Sequence, residues 1–199
     1  VRPFFSLSSP SAGGFSYEKF DREESVYNEG DKVDRYTHLS EHQHIFYGNK
    51  FEISNTINVH RWNIGFSKQK DTFTRLPKAP NIIALPEARD FNISWFEYQY
   101  IRNGFVKSYN VQQINRVEDI NLGLQTSAKI GHVNSTVGTY DNSLELRLKV
   151  ARGYRLSKNH LLFTNLSING FHKNGLIANG LAKAHIRYHW HNFSRGQFY

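Results

Sequence analysis

Apolar and polar residues alternate with a period of two through most of this chain, which places successive side chains on opposite faces of extended strands. Over residues 144–156 the even positions read Leu144, Leu146, Leu148, Val150, Arg152, Tyr154 and Leu156, against Glu145, Arg147, Lys149, Ala151, Gly153 and Arg155. Only Arg152 breaks the apolar face. A polar turn at Ser157-Lys158-Asn159 leads to a second run, with Leu162, Thr164, Leu166 and Ile168 opposite Asn165, Ser167 and Asn169. The pair predicts a hairpin. Beyond Lys173-Asn174-Gly175 a third run sets Ala178, Gly180, Ala182, Ala184, Ile186, Tyr188 and Trp190 against Asn179, Lys183, His185, Arg187, His189 and His191. Apart from Leu181, its second face is polar and strongly basic. Residues 120–130 repeat the pattern, with Ile120, Leu122, Leu124, Ala128 and Ile130 opposite Asn121, Gln125, Ser127 and Lys129.

The first half is less regular. Strands are predicted over residues 3–9, 44–53, 59–68, 91–101 and 105–111, with polar connections at 18–40 and 72–90; the second connection holds Pro77, Pro80 and Pro86 and cannot be a central strand. Strands of roughly 10 to 14 residues exceed the usual soluble length of about 5 or 6, whereas crossing a bilayer at a tilt takes about 9 to 11. No window approaches 18 consecutive apolar residues, so a helical span is excluded and a barrel is not. Tyr154, Tyr188 and Trp190 lie toward the ends of apolar faces, where an interfacial girdle would sit; in a soluble sandwich or lipocalin-like binder the same rings would form the core. The expected fold is therefore all-β, an antiparallel transmembrane β-barrel, with residues 1–199 forming part of one barrel domain.

Charge and composition narrow the chemistry. The net charge of +8 and pI near 9.6 would suit a nucleic-acid partner, but Lys149, Arg152, Arg155, Lys183 and Arg187 recur singly between apolar residues. No nucleic acid is expected. Absence of cysteine removes disulfides, thiolate metal sites and a cysteine nucleophile. Among ten histidines, His189 and His191 share a face about 6.6 Å apart along the strand, His185 lies on the same face, and His42 and His44 form a similar pair. Lys183 and Arg187 beside the first group oppose a metal, so a water-facing histidine row is expected and no cofactor. There is no Gly-x-Ser-x-Gly elbow and no phosphate-cradling glycine loop, and no serine stands out as a nucleophile.

Several segments carry a family resemblance. Asn115-Arg116-Val117-Glu118-Asp119-Ile120-Asn121-Leu122-Gly123 resembles an Arg-x-Glu-Asp-x-x-Leu-Gly pattern in the barrel region of bacterial surface-antigen proteins, relatives of the BamA/TamA outer-membrane assembly superfamily. Arg2-Pro3-Phe4-Phe5-Ser6-Leu7, Ser25-Val26-Tyr27-Asn28-Glu29-Gly30 with Asp34-Arg35-Tyr36, Arg61-Trp62-Asn63-Ile64-Gly65-Phe66 and Ile186-Arg187-Tyr188-His189-Trp190 are similar to the same group, in the same order. Ala151-Arg152-Gly153-Tyr154 looks like the superfamily's lumenal Val-Arg-Gly-Phe/Tyr loop, but it sits within an alternating strand, and that role is not carried over. The resemblance implies a barrel of about sixteen strands, of which this chain supplies roughly half to two thirds. The chain is expected to stop at Phe198-Tyr199 within a new strand, in keeping with an incomplete barrel. It further implies a bacterial outer-membrane location, no enzymatic activity, outer-membrane lipid as surroundings, and client or partner outer-membrane proteins. In that setting Arg147, Lys149, Lys183, His185 and Arg187 are expected to face the lumen, and Leu144, Leu146, Leu148, Ile186, Tyr188 and Trp190 to face lipid. A passive porin-like channel and an outer-membrane lipase are the competing readings, separable by conductance and lipid hydrolysis.

Overall fold

The computed structural model describes residues 2–52, 58–76, 84–109, 117–137, 142–192 and 196–198. Within them lie β1 (Ser11–Asn28), β2 (Asp31–Phe51), β3 (Asn58–Arg75), β4 (Arg89–Arg102), β5 (Phe105–Tyr109), β6 (Val117–Asn121), β7 (Gln125–Val137), β8 (Ser143–Ser157), β9 (His160–Lys173), β10 (Leu176–Asn192) and β11 (Gly196–Phe198), with no helix among the described residues. Nine of the strands form one antiparallel meander in the order β1-β2-β3-β4-β7-β8-β9-β10-β11, and β5 and β6 make a separate hairpin inserted after β4. Antiparallel neighbours joined by tight turns need no crossover, and the turns carry the residues this demands. Glu29 and Gly30 between β1 and β2, and Asn174 and Gly175 between β9 and β10, all take positive φ, the conformation of two-residue hairpin loops whose twist matches the flanking strands.

The sheet curls into a half-barrel. Phe91 on β4 and Phe171 on β9 bring their rings to 6.0 Å although β7 and β8 lie between them. On a flat sheet three strand spacings would separate them by about 14 Å, so that face is concave. Phe91, Ile93, Trp95 and Val133 form a buried cluster there, joined by Phe46 and Phe171. A second cluster, Ile120 with Leu161, draws in Val106, Leu122 and Phe163 and seats the β5–β6 hairpin against the inner side of β9.

The structure corrects several sequence-derived expectations. Residues 3–9 form no strand: beyond a bridge from Arg2 to Gly13 they turn back at Ser6–Ser9, where the Ser9 amide donates to the Ser6 carbonyl at 3.2 Å. The expected connection at 18–40 is instead a hairpin of β1 and β2. Its polar cross-strand pairs, such as Lys19 with Glu41 at 3.0 Å, hold the register without any apolar alternation. Of the 72–90 connection, residues 72–75 belong to β3 and 89–90 to β4; Pro77 and Pro80 lie outside the described residues, and Pro86 has no regular structure. Asn115 and Arg116 of the Arg-x-Glu-Asp segment also lie outside them. The run at 120–130 is broken into β6 and β7 because the chain folds sharply at Gly123, where an added Cβ would lie 2.0 Å from the Arg102 carbonyl oxygen. Ala178 pairs with Phe171 and Leu181 with Asn169. That one-residue bulge, with Asn179 at φ 49°, turns Ala178 to the face opposite Ala182.

Candidate functional site

Register sorts the side chains without ambiguity, because paired residues share a face. The convex face carries the row Tyr47, Ile64, Phe96, Ile130, Leu146 and, next to it, Trp62, Tyr98, Ala128, Leu148, Ile168, Ala182. Its large side chains are substantially exposed, Leu146 at 42% and Ile186 at 70%. On β3 the apolar positions are Trp62, Ile64 and Phe66, whereas on β10 they run from Ala182 to Trp190. Since Trp62 and Ala182 share a row, the band crosses the strands diagonally. Aromatic rings mark its lower border: Phe51 and Tyr98 lie against His60, and His160 stacks on Trp190 at 5.8 Å beside Tyr188.

Beside the Phe91–Val133 cluster, the concave face is polar and basic. A cleft of about 460 Å³ is lined by Phe4, Arg61, Asn63, Trp95, Glu97, Lys129, Arg147 and Lys149. Period-two alternation delivers Arg61 and Asn63 from β3, Trp95 and Glu97 from β4, Lys129 from β7 and Arg147 and Lys149 from β8. Glu145 accepts from Arg147 at 2.9 Å and lies 3.3 Å from Lys129, so one carboxylate serves two cations. Asn63 donates to Glu97 at 3.1 Å. Lys129 also sits 4.6 Å above the Trp95 ring, whose other surroundings include the stacked His44 ring at 5.4 Å. The Ser67 hydroxyl lies between them, accepting from Trp95 Nε1 at 2.9 Å and 2.9 Å from His44 Nδ1. Gly65 makes this possible: a Cβ there would lie 2.4 Å from the Trp95 ring. The N-terminal segment enters the same cleft, with the Arg61 guanidinium 4.2 Å from the Phe4 ring centre and donating to the Ser6 carbonyl at 2.6 Å.

Beyond the apolar band, β1, β2 and β3 continue as a mainly polar extension in which Phe20 and Phe73 lie against His42 and His38. Asp71 is buried there and accepts from Ser40 at 2.6 Å and Gln69 at 2.7 Å, with His38 Nε2 at 3.0 Å. Burial alone would raise its pKa, but the hydrogen bonds from Ser40, Gln69 and His38 outweigh it and hold the carboxyl below its ordinary value. Asp34 pairs with Arg75 nearby. Serine, histidine and aspartate thus meet, yet in the wrong order for nucleophilic catalysis. Ser40 gives its only proton to Asp71, so the His42 Nε2 at 2.8 Å must donate to it and cannot act as its base. His44 and Ser67 also touch, on the concave face, where the imidazole stacks on the Trp95 ring.

Arg147, Lys149, Lys183, His185 and Arg187 all lie on the concave face; Leu144, Leu146, Leu148, Ile186, Tyr188 and Trp190 all lie on the convex one. The structure brings Arg147 and Lys149 to the cleft, and His185 with Arg187 to a smaller recess near Gly153 and Phe163. His189 is buried against Phe163 at 5.4 Å. Among the described residues no group of three or more His, Asp or Glu side chains could hold a metal. The sequence reading missed Arg61, Asn63, Trp95 and Glu97 as cleft residues. Their signal was present in β3, where Arg61, Asn63, Gly65 and Ser67 alternate with Trp62, Ile64 and Phe66. No protein-family model, curated protein or solved structure matches this chain.

Proposed function

We propose that this chain forms part of the wall of a bacterial outer-membrane β-barrel of the BamA/TamA-like surface-antigen type, serving the assembly or translocation of other outer-membrane proteins. One observation carries the membrane part of the reading: a continuous band of exposed apolar side chains crosses the convex face diagonally from β2 to β10, bordered by aromatic rings, over a basic concave face. Barrel strands tilt by about 35–45° to the membrane normal, so a band level with the bilayer must step from row to row across the strands. A soluble fold would cover such a band. The segments similar to the surface-antigen group support the assembly role, with outer-membrane lipid and client outer-membrane proteins as partners and no catalysis or nucleic acid. Physical confinement would do the work, lipid solvating the convex face and water the concave one.

The test uses the full-length protein refolded into lipid vesicles. Leu146→Arg places a cation on the band and is expected to destabilise the vesicle-inserted protein by about 2–4 kcal/mol in denaturant titration, as lipid-facing cations do near the midplane. A fully water-exposed position would tolerate it within about 0.5 kcal/mol. Partition of the folded protein into buffer without detergent would overturn the membrane reading. Failure of the inserted protein to speed the assembly of a second outer-membrane protein, together with single-channel conductance or lipid hydrolysis, would replace the assembly role by a pore or a lipase.

A further inference from the structure

Two neighbouring rows on the concave face differ in how they handle charge. Asn63, Glu97, Lys129, Arg147 and Asn169 follow one another across β3, β4, β7, β8 and β9. That row neutralises itself: Asn63 holds Glu97, and Glu145 one step away serves both Lys129 and Arg147. The next row reads Arg61, Gln99, Ser127, Lys149, Ser167 and Lys183 from β3 to β10. It holds three cations and three neutral hydrogen-bonding side chains but no carboxylate. Lys50 on β2 extends it and is the member with an acid, Glu52 at 3.0 Å. Arg61 and Lys149 line one cleft, and Gln99, Ser127 and Lys149 line the recess beside it; Glu97 of the neighbouring row borders both and accepts from Asn63.

A purely structural row would be expected to carry or adjoin its counter-charges, as its neighbour does with Glu97 and Glu145, because like charges held along one concave wall repel. Hydroxyl and amide groups set between the cations can both donate to and accept from a bound anion and its water. Strands lie about 4.8 Å apart, so Lys149 and Lys183, two strands apart, are separated by roughly 10 Å along the sheet. A multivalent oxyanion and its hydration shell fit that gap. Rings of lysine and arginine in pores select anions and phosphates on the same principle.

We propose that this row is an anion-binding belt that takes phosphate- or carboxylate-bearing solutes. It needs the curled sheet but not the lipid around it. The belt is tested by titrating the detergent-solubilised full chain with inorganic pyrophosphate and, separately, citrate, following heat. Binding that weakens with salt is expected for at least one probe, and the tighter of the two identifies the class of anion. Lys149 and Lys183 are exposed, so Lys149→Glu/Lys183→Glu should fold; it is expected to weaken binding by about tenfold or more. Lys107→Glu/Lys158→Glu makes the same change in net charge at exposed positions off the belt and should leave binding within about twofold at 0.15 M salt, where distant charges are screened. A folded protein, with its strand circular dichroism intact, that binds neither probe overturns the belt, and so does binding that both double variants weaken equally. A chain that stays in buffer without detergent yet binds through Lys149 and Lys183 keeps the belt and loses the membrane reading.

Discussion

Asp71 shows how a single carboxyl ties the polar extension together. Three side chains from β2 and β3 converge on it, and its folded pKa lies below the ordinary value of 3.8. The linkage follows from that direction. The group contributes stability that is fully present above the unfolded value, fades as pH falls past it, and is gone once pH passes the lower folded value. Amide exchange in the outer halves of β1, β2 and β3 should therefore accelerate selectively below pH about 4, while the apolar band stays protected. Asp71→Asn should abolish this acid step and cost about 1–3 kcal/mol of local stability at neutral pH, because donors now paired with a carboxylate lose it. An unchanged exchange profile in the variant would show that Asp71 holds nothing. None of this network was legible in the sequence, where the region around Glu18 to Ser40 reads only as polar.

At the scale of elements, the β5–β6 hairpin depends on its neck. Asn121 Oδ1 accepts from the Gly104 and Gly123 amides at 3.0 and 2.9 Å, and its Nδ2 donates to the Arg102 carbonyl at 3.2 Å. Leu122 then docks on Gly153, whose amide donates to the Leu122 carbonyl at 3.1 Å and whose missing side chain leaves room for it. Asn121→Ala removes three bonds at once and should speed amide exchange in β5 and β6 by about tenfold or more, with β8 and β9 unaffected. Gly153→Leu should release the hairpin from β8 by a different route, since even its Cβ would fall 2.4 Å from a Leu122 methyl carbon. Retained hairpin protection in both variants would mean that the Ile120–Leu161 cluster suffices alone. The alternation at 120–130 concealed this break, because Ile120 and Leu122 are apolar for docking on the inner wall and Ala128 and Ile130 for the convex face. Local pattern does not record which surface buries an apolar side chain.

The whole molecule is a sheet with two unlike faces, and labelling can read them apart. The chain has no cysteine, so single cysteines placed along β8 report their own surroundings. In vesicles, Leu144→Cys, Leu146→Cys and Leu148→Cys should react with a lipid-borne maleimide and resist a charged one, whereas Arg147→Cys and Lys149→Cys should do the reverse. Equal reaction of both sets with the charged reagent would place water on both faces and remove the case for a bilayer. The same experiment on β10 should show the pattern changing hand at the bulge, with Ala178→Cys behaving like Lys183→Cys. That outcome is set by one extra residue between Ala178 and Leu181.

Alternation by itself determined that the chain is all-β, which residues of β8, β9 and most of β10 share a face, and where the turns at Ser157-Lys158-Asn159 and Asn174-Gly175 fall, because a strand's side-chain period and a tight turn's dihedral demands are local properties. Tertiary structure alone decided the rest. Strand pairing turned a polar stretch into the β1–β2 hairpin, through backbone bonds and cross-strand pairs such as Lys19 with Glu41 whose partners only the register defines. Curvature brought Phe91 to Phe171 and gathered Arg61, Lys129, Arg147 and Lys149 around one cleft from residues up to 88 positions apart. Register aligned three cations from distant strands in a row without a carboxylate, and register is a relation between strands that no single strand contains.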